Sequence, residues 1–239
     1  MTIFPLLCLL ILFSQVQAKK YKITDQVYMD LEIDGRMAGR IVFGLFGEVV
    51  PKTVKNFKKL ALEGIEGKSY KGTNIFIAIR KVMILGGDVI FNNGSGSTSI
   101  YGKYFDDENF EIRHDSTGLL ASANRDVPNT NGCMFFITTM PTPWLNGKNV
   151  IFGKVLMGHE VVHKIEHLKT DYNDRILNKV QIVECGEIVF EPFYDDHKNY
   201  EITLWAWIKA GWFPLSFSFA ILGVFHYIMT QLNKLQSFQ

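Results

Sequence analysis

Val27-Tyr28-Met29-Asp30-Leu31-Glu32-Ile33-Asp34-Gly35, followed closely by Gly39-Arg40-Ile41-Val42-Phe43-Gly44-Leu45-Phe46, decides the fold class. Apolar and polar residues partly alternate on both sides of Asp34-Gly35, a dipeptide suited to a tight hairpin turn. Outward from this hairpin the period changes. Over residues 51–62, Val54, Phe57, Leu60 and Ala61 fall on one helical face, and Pro51 is placed to open the helix. Further strands are expected at 118–123, 134–139, 150–157 and 180–185. A second helix is expected at 159–167, with Val161, Val162 and Ile165 turned inward. Many short strands with only two helices predict a mainly-β protein, a closed β-barrel capped by helices.

The 239 residues leave room for one good-sized domain plus appendages. At 47% hydrophobic and 21% charged, the chain suits a packed core and not a disordered state. A formal net charge of +1 gives no field that would recruit nucleic acid. The three cysteines, Cys8, Cys133 and Cys185, are too few for a disulfide framework. Once the N-terminus is removed, one pairing, Cys133 with Cys185, is arithmetically open.

Both ends read as addresses. Residues 1–18 hold an apolar run from Ile3 to Phe13, then Val16-Gln17-Ala18 at a spacing that signal peptidase accepts, and predict a cleaved signal peptide. The run is shorter than the roughly 20 residues needed to span a bilayer. Residues 19–26 form a lead-in, 27–188 one domain, and 189–204 an acidic stalk around Asp195-Asp196. Residues 205–229 predict a transmembrane anchor and 230–239 a cytosolic tail. From Ala210 to Met229 no Asp, Glu, Lys or Arg occurs, with Trp205, Trp207 and Trp212 at one edge and Tyr227 at the other. Signal peptide and anchor together place the domain in the lumen.

The runs Gly86-Gly87-Asp88, Asn93-Gly94-Ser95-Gly96, Ser99-Ile100-Tyr101-Gly102 and Phe105-Asp106-Asp107-Glu108-Asn109-Phe110 occur in one order. They continue with Asn129-Thr130-Asn131-Gly132, Phe135-Phe136-Ile137, Trp144-Leu145-Asn146-Gly147-Lys148 and Val150-Ile151-Phe152-Gly153-Lys154-Val155. In order and spacing this series resembles the cyclophilins. The resemblance implies an eight-stranded antiparallel barrel with two capping helices, a proline-binding groove on its outer face, and no cofactor. Trp207-Ile208-Lys209-Ala210, Phe225-His226-Tyr227 and Gln231-Leu232-Asn233 resemble the tail of NinaA-type cyclophilins, insect secretory-pathway proteins that escort membrane-protein clients. By that analogy the expected residence is the endoplasmic reticulum membrane.

Prolyl isomerisation rotates a bond whose barrier of about 18–20 kcal/mol comes from partial C–N double-bond character. In the family an arginine donates toward the proline nitrogen as that conjugation breaks. Counting back from Gly86-Gly87-Asp88 puts Ile77 at the arginine position, and isoleucine has no donor. Leu85 and Met134 stand where the family carries glutamines, Asn149 where it carries a histidine, and Val82 where it carries a phenylalanine. No catalytic position is intact. Met83, Ala123, Asn124, Phe136, Trp144 and Leu145 match the substrate-binding residues of the groove, and one extra residue lengthens the loop after Asn124. Arg80, three residues beyond Ile77, reads as a solvated loop cation beside Lys81 and not as a replacement.

Asn93-Gly94-Ser95 is a glycosylation sequon. Gly94 and Gly96 lack the strand-to-helix context of a phosphate cradle and read as loop geometry. His159, His163 and His167 form an i, i+4 ladder. With Glu160 and Glu166 assigned to other faces, the ladder reads as a solvated helix face and not as a metal site. His226 lies within the expected anchor. The expected partner is a proline-containing client polypeptide. The favoured reading is a membrane-anchored chaperone or escort with weak or lost catalysis. The alternative is an active peptidyl-prolyl cis-trans isomerase that assists folding, and a third reading is a scaffold whose groove is filled by Val82 and Leu85.

Overall fold

The computed structural model describes residues 20–195 and, nearer the C-terminus, residues 221–223, 225–227 and 229. The chain divides into two compact units, Met1–Asn199 and Tyr200–Gln239.

In the first unit the elements run β1 (Tyr21–Ile23), β2 (Asp25–Ile33), β3 (Arg36–Leu45), α1 (Pro51–Leu62), β4 (Asn74–Ile79), β5 (Met83–Gly86), β6 (Leu119–Ser122) and β7 (Phe135–Thr138). They continue with β8 (Ile151–Met157), α2 (His159–Glu166), β9 (Arg175–Glu187) and β10 (Phe193–Asp195). Eight of the strands close into a barrel in the order β2-β3-β8-β6-β7-β5-β4-β9, and each pair is antiparallel. Closure pairs every barrel strand on both sides and leaves no long edge exposed.

The opening hairpin forms as its pattern demands. Asp34 and Gly35 both have positive φ, 50° and 75°, the geometry of a type I′ turn that matches strand twist. Ile33 then pairs with Arg36, and Val27, Met29 and Leu31 turn into the core. In α1, Val54, Phe57, Leu60 and Ala61 are buried as the spacing predicts. Phe57 sits among the rings of Phe43, Tyr70, Phe135 and Phe152, with centroids 5.0–6.1 Å away. The Glu108 carboxylate accepts from the Lys52 and Thr53 N–H groups at 3.0 and 2.9 Å, placing a negative charge at the helix N-terminus. On α2, Val161, Val162 and Ile165 face inward.

Several expectations change. Neither β4 nor β5 was legible as a strand from periodicity. Asn74–Ile79 is an almost unbroken apolar run crossing a register shift, and Met83–Gly86 is four residues long. The lead-in and the near end of the stalk are not passive, because β1 pairs with β10 and Lys154 binds the Asp195 carboxylate at 2.9 Å. Cys133 and Cys185 are both free, and burial pushes the Cys133 thiol up and the Cys185 thiol up to about 12. Glu166 is not on a face apart from the histidine ladder; it stands beside His163 and His167.

In the second unit, residues 221–223, 225–227 and 229 are helical, with Ile221, Leu222, Phe225, Tyr227 and Met229 exposed. The signal peptide, most of the 205–229 anchor and the 230–239 tail lie outside the described residues. Among the described residues no helix is long and apolar enough to cross a membrane.

Candidate functional site

Residues directly opposed on neighbouring strands share one face of a sheet. Ile77 on β4 opposes Leu85 on β5, Leu85 opposes Phe136 on β7, and Phe136 opposes Ala121 on β6. Phe136 and Ala121 are themselves buried members of the core, as are the alternate positions Ile84, Phe135 and Ile137, so the row is exposed only at Ile77 and Leu85. Ile77, Met83, Leu85 and Leu145 are half-buried and pack against the core. Two positions where a guanidinium and an amide are expected are thus cross-strand neighbours, and both are aliphatic. Replacing them together leaves no stranded donor between them, which is the less costly way to lose a polar pair.

The other residues expected to line a groove sit on neighbouring strands and turns. Val82 closes the β4–β5 turn through its N–H to the Ile79 carbonyl, and Met83 opposes Thr138. Ala123 donates its N–H to the Met134 carbonyl, and both side chains are buried. Pro143–Leu145 forms a single 3-10 turn that exposes Trp144 and tucks Leu145 inward. Asn149 has a structural contact: its amide donates to the Ser122 carbonyl at 3.1 Å. Asn124 donates to the Lys148 carbonyl at 2.8 Å and accepts the Asp126 N–H. The 122–124 strand end is therefore stitched to 148–149.

Arg80 lies in the β4–β5 turn and donates to the His167 carbonyl at 3.4 Å.

Three residues that sequence reasoning passed over matter here. Arg175 on β9 pairs directly with Ile77, and its guanidinium donates to the Asn93 carbonyl at 3.1 Å. Arg125, in the lengthened loop, donates to the carbonyls of Gly94, Ser95 and Gly96 at 3.0, 2.7 and 2.7 Å. His114 is fully buried and stacks on Phe136, with centroids 6.1 Å apart and an interplanar angle of 16°. Both its ring nitrogens lack a partner, and burial pushes the imidazole down to about 4, so it backs the groove as a neutral ring. Only long-range pairing brings these residues to the groove.

The Gly-rich loop is a cradle for the chain's own carboxylate. Asp88, with no exposed surface, accepts from the N–H groups of Ile90, Phe91, Asn93, Gly94 and Gly96 at 2.8–3.1 Å. Gly96 is required there, because a Cβ would collide with that carboxylate. Asn93 itself is exposed, and its side-chain oxygen accepts from both the N–H and the hydroxyl of Ser95.

A closed eight-stranded antiparallel barrel with helices packed on it is the architecture of the cyclophilins. The family "Cyclophilin type peptidyl-prolyl cis-trans isomerase/CLD" matches residues 28–187, and the chain belongs to it. Among individual relatives, the chain is 44% identical over 236 residues to the "Peptidyl-prolyl cis-trans isomerase, rhodopsin-specific isozyme" of Calliphora vicina, covering 98% of this chain and 99% of that one. It is 43% identical over 199 residues to "Peptidyl-prolyl cis-trans isomerase D" of Saccharomyces cerevisiae, covering 83% and 87%. To isomerase B of the same yeast it is 46% identical over 166 residues, covering 69% and 80%.

Proposed function

We propose that this chain is a membrane-anchored binder of proline-containing segments, acting as a chaperone or escort for a secretory or membrane-protein client, with isomerase catalysis weak or lost. The apolar row Ile77–Leu85–Phe136 carries the reading. A proline ring buried against Ile77, Met83 and Leu85, the partly exposed members of this surface, gains about 1–2 kcal/mol at about 25 cal/mol per Å². Side chains in the row offer no donor to the twisting peptide. Losing one well-placed transition-state donor costs about 10²–10³ in rate.

The location belongs to the same proposal: a cleaved signal at 1–18, a lumenal domain, an anchor at 205–229, and residence in the endoplasmic reticulum membrane. Supporting it are the uncharged stretch from Ala210 to Met229 and the exposed apolar side chains of the helical residues within it. An alignment with the Calliphora protein that runs through both ends adds to this. Anchoring raises the effective concentration of the groove at the bilayer, where a membrane client folds.

One observation favours the second reading, an active isomerase. Arg175 opposes Ile77 in the ladder, so a guanidinium stands next to the vacated position from the neighbouring strand.

The test assays the full-length chain in detergent on a short proline peptide, beside Ile77→Arg/Leu85→Gln and Arg175→Ala. A near-uncatalysed wild type and a faster double variant support the binder. A fast wild type slowed at least about tenfold by Arg175→Ala supports the isomerase.

A further inference from the structure

The histidine ladder on α2 ends in a side-chain arrangement that the groove does not use. His163, Glu166 and His167 follow the spacing H-x-x-E-H at the C-terminal end of α2, with His167 as the residue that caps it. Residues three and four apart on a helix are surface neighbours. Here one nitrogen from each imidazole and one carboxylate oxygen lie within 4.8 Å of one another. The two rings stack at 4.1 Å between centroids. From this geometry we propose that His163, Glu166 and His167 form a binding site for a divalent transition-metal ion of the zinc type.

Two of the three ligands, Glu166 and His167, are held from behind. Glu166 is only 6% exposed although it is a carboxylate. One of its oxygens accepts the Lys81 N–H at 2.7 Å, while the other lies 3.6 Å from Nδ1 of His167, beyond hydrogen-bonding range. The second oxygen is the one that faces the two imidazoles, and a cation set among the three groups would draw on it directly. His167 places Nδ1 2.8 Å from the His163 carbonyl. A proton on Nδ1 satisfies that carbonyl and leaves the Nε2 lone pair for the ion, the way backbone carbonyls commonly orient metal-binding histidines.

Two imidazoles and a carboxylate are a donor set that zinc accepts, with a fourth position left for water. Space for it exists: a cleft of about 290 Å³ opens beside the cluster, lined among others by Thr117, Thr138, Thr139, His159, His163 and Glu166. Buried Thr139 Oγ1 in this cleft has no hydrogen-bond partner. The site is coupled to the β4–β5 turn, because Glu166 holds Lys81 and the His167 carbonyl holds Arg80. Arg80 and Lys81 of that turn and Lys164 within the motif are cations that oppose the ion, and all three are exposed to screening water. Cys133 and Cys185 lie outside the cluster.

The experiment titrates zinc into chelator-stripped full-length protein in detergent, reading affinity by competition with a chromophoric chelator. Cobalt, read by its visible absorption, reports coordination. One zinc bound at micromolar affinity is expected, weakened at least about tenfold by His163→Ala and by His167→Ala, and within about twofold of wild type in His159→Ala. Glu166→Gln, which keeps an acceptor for the Lys81 N–H, lowers the affinity and changes the cobalt spectrum. Both imidazoles are exposed, so their loss leaves the fold intact, checked by circular dichroism. Absence of micromolar binding, or binding that survives both histidine substitutions unchanged, overturns the assignment.

Discussion

Substituting Asp88→Asn tests whether the carboxylate at the centre of the Gly-rich loop organises that edge of the groove. Two N–H groups, of Ile90 and Phe91, point at one carboxylate oxygen, and three, of Asn93, Gly94 and Gly96, at the other. An asparagine offers its one oxygen to either set and turns an NH₂ on the rest. At least two N–H groups then lose their acceptor, at about 1–3 kcal/mol each, for a total of about 2–6 kcal/mol. Such a loss is a large share of the about 5–15 kcal/mol that holds a domain folded. For a chain of this size it lowers Tm by at least about 4 °C, measured by near-ultraviolet circular dichroism on the full-length protein. The pH dependence has a definite sign. Burial by itself would raise the Asp88 carboxyl, but the N–H groups of Phe91, Gly96, Ile90 and Asn93 outweigh it and hold the group below its ordinary value. Its stabilisation is therefore present above the unfolded value of about 4 and lost as pH falls toward the lower folded value. The gap between wild type and Asp88→Asn narrows over that acid range. An Asp88→Asn protein melting within about 2 °C of wild type at neutral pH refutes the cradle.

Two further outcomes are expected. Because burial holds His114 down to about 4, the unfolded chain takes up a proton between about pH 6.5 and pH 4 that the folded chain refuses. Stability therefore falls with pH over that window by about 3 kcal/mol at most, and His114→Phe removes this slope; parallel pH profiles of urea midpoints would count against it. If the domain is lumenal, the exposed Asn93 of the sequon acquires a glycan in secretory cells, and Asn93→Gln abolishes a glycosidase-sensitive mobility shift. No shift in the wild type removes this support for the topology.

Much of the barrel was legible where a segment buries one face only. The hairpin around Asp34-Gly35 and both helices carry their period openly, since water on one side and core on the other enforce it, whereas β6 and β7 are buried at every residue and show as short apolar runs. Helix α1 begins and ends where its pattern predicts, at Pro51 and Leu62. Strands β4 and β5 were hidden because the groove makes their outer face apolar too. With Ile77, Met83 and Leu85 half-buried outside and Ile75 and Ile84 buried inside, no alternation remains to read. The candidate site was read one residue at a time, by motif spacing, which is how Ile77, Leu85 and Met134 came to be assigned to the arginine and glutamine positions.

By itself the sequence determined the family, the order of the elements, and the absence of a donor at residue 77, because these depend on residue type and local spacing. Tertiary structure decided which residues face each other. Ile77 meets Leu85 and Arg175 through a register shift in β4, and neither neighbour is marked in the local pattern. Arg125 reaches a loop 30 residues earlier in the chain, and Glu166 turns back to Lys81 across 85 residues. Register and closure are fixed by pairings distant along the chain, whose energy is realised only when the barrel is complete.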